Sequence, residues 1–184
     1  EYDILTNSAF RALPEYFGEV PATTIDGLNA AIAGGKVFTV RTGITAGDLV
    51  NLLKTQFINP GAVLVPLLNA LQIGADKIQE WYDGALTTND LDNLLPTTLD
   101  KSRYGGSVGQ WLTDNKVLIS TLVVLTDMTP ETDDCNLADM ELRYVLPPDE
   151  TKNKLNEITY HKFHRFIRLW KKTGWSMETM DKVI

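Results

Sequence analysis

A mainly α-helical fold is predicted: an irregular bundle of short helices, a small antiparallel β pair near 117–145, and a long C-terminal amphipathic helix closed by a tight helix–turn–helix corner. Three observations carry this expectation. Glycines and prolines cut the chain into many short runs of helical periodicity. β-Branched residues concentrate in one place, the run ValLeuIleSerThrLeuValValLeu at 117–125. Residues 161–173 read HKFHRFIRLWKKT, which sets Phe163, Phe166, Ile167 and Trp170 on one helical stripe. Lys162, Arg165, Arg168, Lys171 and Lys172 fill the other positions.

Taken in order, helical segments are expected at about 8–17, 23–33 and 36–41, punctuated by Pro14, Pro21, Gly34-Gly35 and Gly43. Thr45, with Asp48 three residues on, predicts a capped helix whose apolar stripe is Leu49, Leu52, Leu53 and Phe57, ended by Asn59-Pro60. Residues 62–72 are apolar nearly all round, which predicts a buried helix kinked by Pro66, or two short pieces. Short helices follow at about 75–83 and 88–95, then a loop at 96–106 and one or two helical turns at 107–115. Strands are expected at 117–126 and where Met140, Leu142 and Tyr144 alternate with Glu141 and Arg143. Pro147-Pro148 precedes the terminal helix, which should begin near Asn153 to Asn156. Gly174 is placed as a left-handed C-cap behind the cations Lys171 and Lys172, and Ser176 as the N-cap of a last helix with Glu178 in its first turn. These segments are read as one domain, 1–184: 1–60 helical, 61–116 helix or loop, 117–146 the β pair, and 153–184 the corner.

With 43% hydrophobic and 22% charged residues in 184, the chain has the composition of a globular protein able to bury a core. Its charge is uneven. Residues 1–150 carry 21 acidic and 9 basic side chains, a net −12, whereas 151–184 carry 3 and 8, a net +5. A basic terminal helix on an acidic protein is read first as contacting the chain's own acidic surface or a neighbouring segment, next as a solvated face, and last as a nucleic-acid or lipid patch. The acidic remainder repels long nucleic acids, so a nucleic-acid partner is not expected. A single cysteine, Cys135, excludes an internal disulfide. The apolar run at 117–125 is too short to cross a bilayer, so no membrane insertion by this segment is expected. The chain starts at Glu1 and stops inside a helical pattern at Ile184, and both ends read as cuts from a larger protein.

No chemistry-bearing pattern has the context it needs. Gly105-Gly106-Ser107-Val108-Gly109 fits G-x-S-x-G, but LeuAspLysSerArgTyr before it is not the apolar strand that a nucleophile elbow requires. The same glycines lack the Lys-Ser/Thr of a phosphate loop. His161 and His164, three apart on a helix, form half a metal site with no spacing that completes it. Cys135 lies beside Asp133 and Asp134, whose charge raises a thiol pKa. The acidic cluster Asp127, Glu131, Asp133, Asp134 and Asp139 lacks the glycine-centred calcium loop. Trp81, Trp111, Trp170 and Trp175 are read as core anchors. No catalytic residue, cofactor or metal ligand is therefore expected, and the chain is read as non-enzymatic.

The corner's wording, HRFIRLWKKTGWSMETMD, resembles a segment of the A subunits of bacterial Tc (toxin complex) toxins and the virulence-plasmid A proteins. LeuValAsnLeuLeuLysThrGlnPheIleAsnPro at 49–60 is similar to a second block of that family, and Cys135-Asn136-Leu137 to a third, in the same order. Tyr16-Phe17-Gly18 and Thr42-Gly43 are weaker echoes. Gln56 stands where the family usually has Arg, Asn136 where it has Asp, and residues 61–117 match nothing in it. The resemblance implies an internal piece of a helical shell around a pore-forming translocation channel, in a secreted or cell-surface toxin. That shell belongs to a homo-oligomeric ring of five, which contacts other segments of its own large subunit and the partner subunits carrying a toxic enzyme. The residues taken as its structural core are Leu49, Leu52, Leu53, Phe57, Pro60, Phe163, Phe166, Ile167, Trp170, Gly174 and Trp175. A stand-alone helical adaptor for protein partners is the competing expectation.

Overall fold

Local chemistry starts most of the helices. Thr24, Thr45, Thr87, Ser107, Asn156 and Ser176 each accept a backbone N–H through the side chain at a helix N-terminus. Thr45 with Asp48 and Thr87 with Asp90 close full capping boxes. The computed structural model describes residues 12–128, 136–147 and 152–184. In chain order its helices are α1 (residues 12–16), α2 (Ile25–Ile32), α3 (Gly35–Thr42), α4 (Ala46–Leu53), α5 (Val65–Leu71), α6 (Ala75–Tyr82), α7 (Thr88–Leu94), α8 (Val108–Asp114), α9 (Lys116–Ser120), α10 (Glu157–Thr173) and α11 (Met177–Val183). Two 3-10 turns cover Ala62–Leu64 and Lys101–Tyr104. Strands β1 (Val123–Asp127) and β2 (Met140–Tyr144) form a two-stranded sheet. The fold is mainly α with one small antiparallel β pair.

The chain divides into two compact units, Glu1–Asn59 with Val123–Arg143 and Lys154–Ile184, and Pro60–Leu122 with Tyr144–Asn153. In the first, α10 supplies the centre of the core. Tyr160, Phe163 and Phe166 are fully buried and meet aromatic rings brought in by earlier helices. Phe17 packs on Phe38 and edge-on to Tyr160, both at 5.8 Å between ring centroids, Phe38 on Phe163 at 5.1 Å, and Phe57 on Phe166 at 5.7 Å.

Two buried asparagines tie distant segments into this unit. Asn29 donates through Nδ2 to the Ile25 and Leu155 carbonyls, while its Oδ1 accepts from the Leu155 amide and the Tyr160 hydroxyl. Asn59 donates to the Leu53 and Val123 carbonyls and accepts the Val123 amide at 2.8 Å. Each side-chain amide thus mimics a strand neighbour, and its buried donors and acceptor are satisfied. The α2–α3 junction joins the sheet as well, with the Leu142 amide donating to the Ala33 carbonyl at 2.8 Å.

The second unit closes on Leu64, Leu71, Trp81, Leu91, Leu95, Tyr104, Val108, Leu112, Ile119 and Leu146. Tyr104 stands edge-on to Trp111 at 5.2 Å and donates its hydroxyl to the Leu67 carbonyl at 2.9 Å. Helices α7 and α8 touch where a Cβ on Gly109 would collide with the Thr88 carbonyl, so only glycine allows that approach.

The structure corrects several local expectations. The strand placed at 117–126 begins only at Val123, and Lys116–Ser120 is helical. In a strand Val117 and Ile119 would share a face. In the helix they part, leaving Val117 76% exposed while Ile119 is buried, and this packing overrides β propensity. The loop at 96–106 contains a 3-10 turn that Asp100 caps from its carboxylate. Residues 62–72 take the two-piece form, with Pro66 in the first turn of α5, where its missing N–H costs nothing. The run is not buried all round, since Val63 is largely exposed. Helix α4 stops at Leu53, so Phe57 reaches Phe166 from a turn rather than from a helical stripe.

Candidate functional site

The residues singled out for chemistry are occupied in structural work or lie apart. Ser107 caps α8: its hydroxyl accepts the Gln110 amide at 3.1 Å and donates to the Asp92 carboxylate at 2.6 Å. Asp92 also accepts the Val108 and Gly109 amides at 2.7 and 3.2 Å. Burial alone would raise the Asp92 pKa. The bonds from Ser107, Gly109 and Val108 and the charge of Lys101 outweigh it and hold the carboxyl below its usual range. The hydroxyl is therefore held by an acceptor fixed in its ionised form. The glycines around Ser107 have geometric roles, Gly105 and Gly106 at φ 70° and 95° and Gly109 at the helix contact. Cys135 and most of the acidic cluster, Glu131, Asp133 and Asp134, lie outside the described residues.

His164 stacks flat on Tyr16, ring centroids 3.8 Å apart and 6° between planes, while His161 meets the same ring edge-on at 6.1 Å. Burial first, then the positive charges of Arg168, His161 and Arg165, push the His164 pKa down, so the imidazole is held neutral. Among the described residues, no three His, Cys, Asp or Glu side chains come together to hold a metal ion, and no helix is long and apolar enough to cross a membrane.

The corner at Gly174 joins the end of the chain to earlier segments through polar contacts. Gly174 caps α10 at φ 66°, and its N–H returns to the Trp170 carbonyl at 3.0 Å. Ser176 then starts α11, which buries Met177 and Met180. That geometry aims Asp181 at the turn after α4. One carboxylate oxygen accepts the Gln56 amide at 2.7 Å and the other the Phe57 amide at 2.8 Å. Lys171 adds a bond from Nζ to the Thr42 carbonyl.

Two of the segments with a family-like wording, 49–60 and 164–181, are thereby clamped together, by aromatic packing on one side and a carboxylate latch on the other. The chain matches no protein-family model, no curated protein and no solved structure. Leu49, Leu52, Phe163, Phe166 and Ile167 are buried, Leu53, Phe57 and Trp170 half-buried, and Pro60, Gly174 and Trp175 on the surface. Trp175 is no core anchor. It sits in the link between α10 and α11 and, with Trp170, walls an open groove of about 830 Å³ that Asp48, Lys54, Glu178 and Asp181 also line. Of the other tryptophans, Trp81 is buried and Trp111 half-buried against Tyr104.

The Asp181 latch was missed from sequence. The only signal was an acidic residue on the inward side of a short helix, four positions after Met177 and one after Met180, which are the two that helix buries.

Proposed function

We propose that the chain is a non-catalytic structural module of a Tc-type toxin A subunit, part of the helical shell around a pore-forming translocation channel in a secreted or cell-surface toxin. The observation that carries this reading is the clamp at Gly174. The 49–60 block and the corner, the longest stretches resembling that family, are joined by the Asp181 latch and the Phe57–Phe166 contact, although about 125 residues separate them. Such a joint resists shear, because two charge-assisted bonds fix the register of the packed rings. A mechanical role fits a corner whose Asp181 carboxylate is taken up by the Gln56 and Phe57 amides. Neighbouring segments of the same large subunit, copies in a ring of five and the toxin's partner subunits are the expected contacts.

Two measurements test the proposal. The reading frame that encodes the chain should extend several-fold beyond it, and electron microscopy of that parent should show a five-fold ring with this module in its outer wall. A parent no longer than the present chain, monomeric in solution, would overturn the reading and leave the helical adaptor in its place.

A further inference from the structure

A second groove, of about 650 Å³, lies between α1 and the outer face of α10, and among the described residues its lining contains no carboxylate. Arg165, Arg168 and Lys172 stand along one side of it, at i, i+3 and i+7, spread over about 10 Å of helix axis. None of the three has a carboxylate partner among the described residues. A solvated helix face normally sets opposite charges at i+3 and i+4. Here Arg168 lies at i+3 from Arg165 and Lys172 at i+4 from Arg168, an arrangement that mildly destabilises the free helix. The only acidic residue in α10 is Glu157, in its first turn. The Tyr16–His164 stack forms the facing wall and leaves the tyrosine 41% exposed at the groove's edge.

We propose that this groove binds a compact multivalent oxyanion, such as a di- or triphosphate group, with Arg165, Arg168 and Lys172 as its cationic ligands. Guanidinium groups present paired donors that match phosphate or carboxylate oxygens, and an anion seated between them relieves the like-charge crowding along the helix. The ligand is compact because the rest of the chain is acidic. Residues 1–150 carry a net −12 and repel a long polyanion running out of the groove. The contrast with the groove at Gly174 is chemical, since that one mixes carboxylates with lysines and has no single sign. This inference does not depend on the toxin reading and fails or stands separately.

The test is calorimetric titration of the whole chain with inorganic tripolyphosphate at low ionic strength, alongside ATP, citrate and heparin. One saturable site is expected, weakened by added salt. Arg165→Gln and Arg168→Gln should each reduce affinity by roughly ten- to hundredfold, the value of a hydrogen bond to a charged group. Neither side chain is buried, and removing one relieves repulsion, so the unliganded variants should melt no lower than the wild type. Lys77→Gln, outside the groove, should bind as the wild type does. Tighter binding of ATP than of tripolyphosphate would identify Tyr16 as a stacking surface for a nucleotide base, and equal binding would assign recognition to the phosphates alone. No saturable binding of any small anion, equal loss in Lys77→Gln, or binding of heparin without tripolyphosphate would overturn the proposal.

Discussion

Asp181→Asn is the sharpest test of the clamp, because it changes one atom and one charge without changing shape. In the wild type each carboxylate oxygen accepts a separate amide, Gln56 at 2.7 Å and Phe57 at 2.8 Å. Asparagine keeps one acceptor and turns an NH2 group toward the other amide, so one charge-assisted bond is lost and two donors face each other. A hydrogen bond to a charged group contributes about 1.5–3 kcal/mol, and the half-buried setting of Phe57 makes about 2 kcal/mol the expected cost. For a chain of this length that corresponds to a Tm drop of roughly 4–8 °C. Because the chain has two compact units, a whole-molecule melt alone is ambiguous. Amide exchange followed by NMR gives the local readout: the Gln56 and Phe57 amides should exchange much faster in the variant, and the Asn29 clip should be unaffected. Glu178→Gln in the same helix, which breaks only an exposed pair with Lys182, serves as the control and should leave both readouts unchanged. Unchanged exchange at both amides in Asp181→Asn would refute the latch.

Four further outcomes are expected. Phe163→Ala, in the fully buried core, should cost about 3–5 kcal/mol by thermal denaturation; half-buried Trp170→Ala should cost less, and exposed Arg168→Ala nothing measurable. Gly174→Val should cost about 1–2 kcal/mol from the left-handed backbone alone, since a Cβ there meets nothing within 4 Å, and Gly174→Asn should recover much of it. Ser107→Ala should lower stability by about 1–2 kcal/mol through the lost cap and the bond to Asp92, a loss that denaturant titration would measure. His164 has a folded pKa below its unfolded one, so the folded chain binds fewer protons and its stability is fully present above pH 6.5. That contribution should fall as pH drops below 6.5 until the folded group itself protonates, and His164→Phe, which retains the ring stack, should flatten the dependence in denaturation curves taken across that range.

What was legible in the sequence was local. Caps at Thr45 and Ser176, the C-cap at Gly174 and the stripe of α10 each depend on residues within one or two turns, and the structure shows each of them. The run at 117–125 misled because β-branched content is a preference of single residues, whereas the outcome was set by which side chain the second unit's core could bury. Asn29, Asn59 and Asp181 were invisible for another reason. Their partners lie 126, 64 and 125 residues away, and nothing near a polar residue announces that a distant backbone group will need it. The same limit applies to the groove: the basic stripe of α10 is plain in the sequence, but its facing wall comes from Tyr16 on α1.

The 49–60 block shows how such long-range roles shape a short run of sequence. Its helical part ends at Leu53, yet the family-like wording continues to Pro60, and each residue from Thr55 to Asn59 has a specific contact. Thr55 returns its hydroxyl to the Leu52 carbonyl at 2.6 Å, Gln56 and Phe57 present their amides to Asp181, Ile58 is buried, and Asn59 pairs with Val123. Gln56 and Phe57 contribute backbone amides to the latch, whereas Thr55, Ile58 and Asn59 act through their side chains. The Gln56 side chain is exposed, and Asp181 reads only the amide beneath it. Glutamine in place of the arginine usual in the resembled family therefore leaves the latch intact. Proline at 60 follows from the same logic: it favours an extended conformation at Asn59 and prevents the turn from winding back into helix, which keeps the Asn59 amide facing Val123.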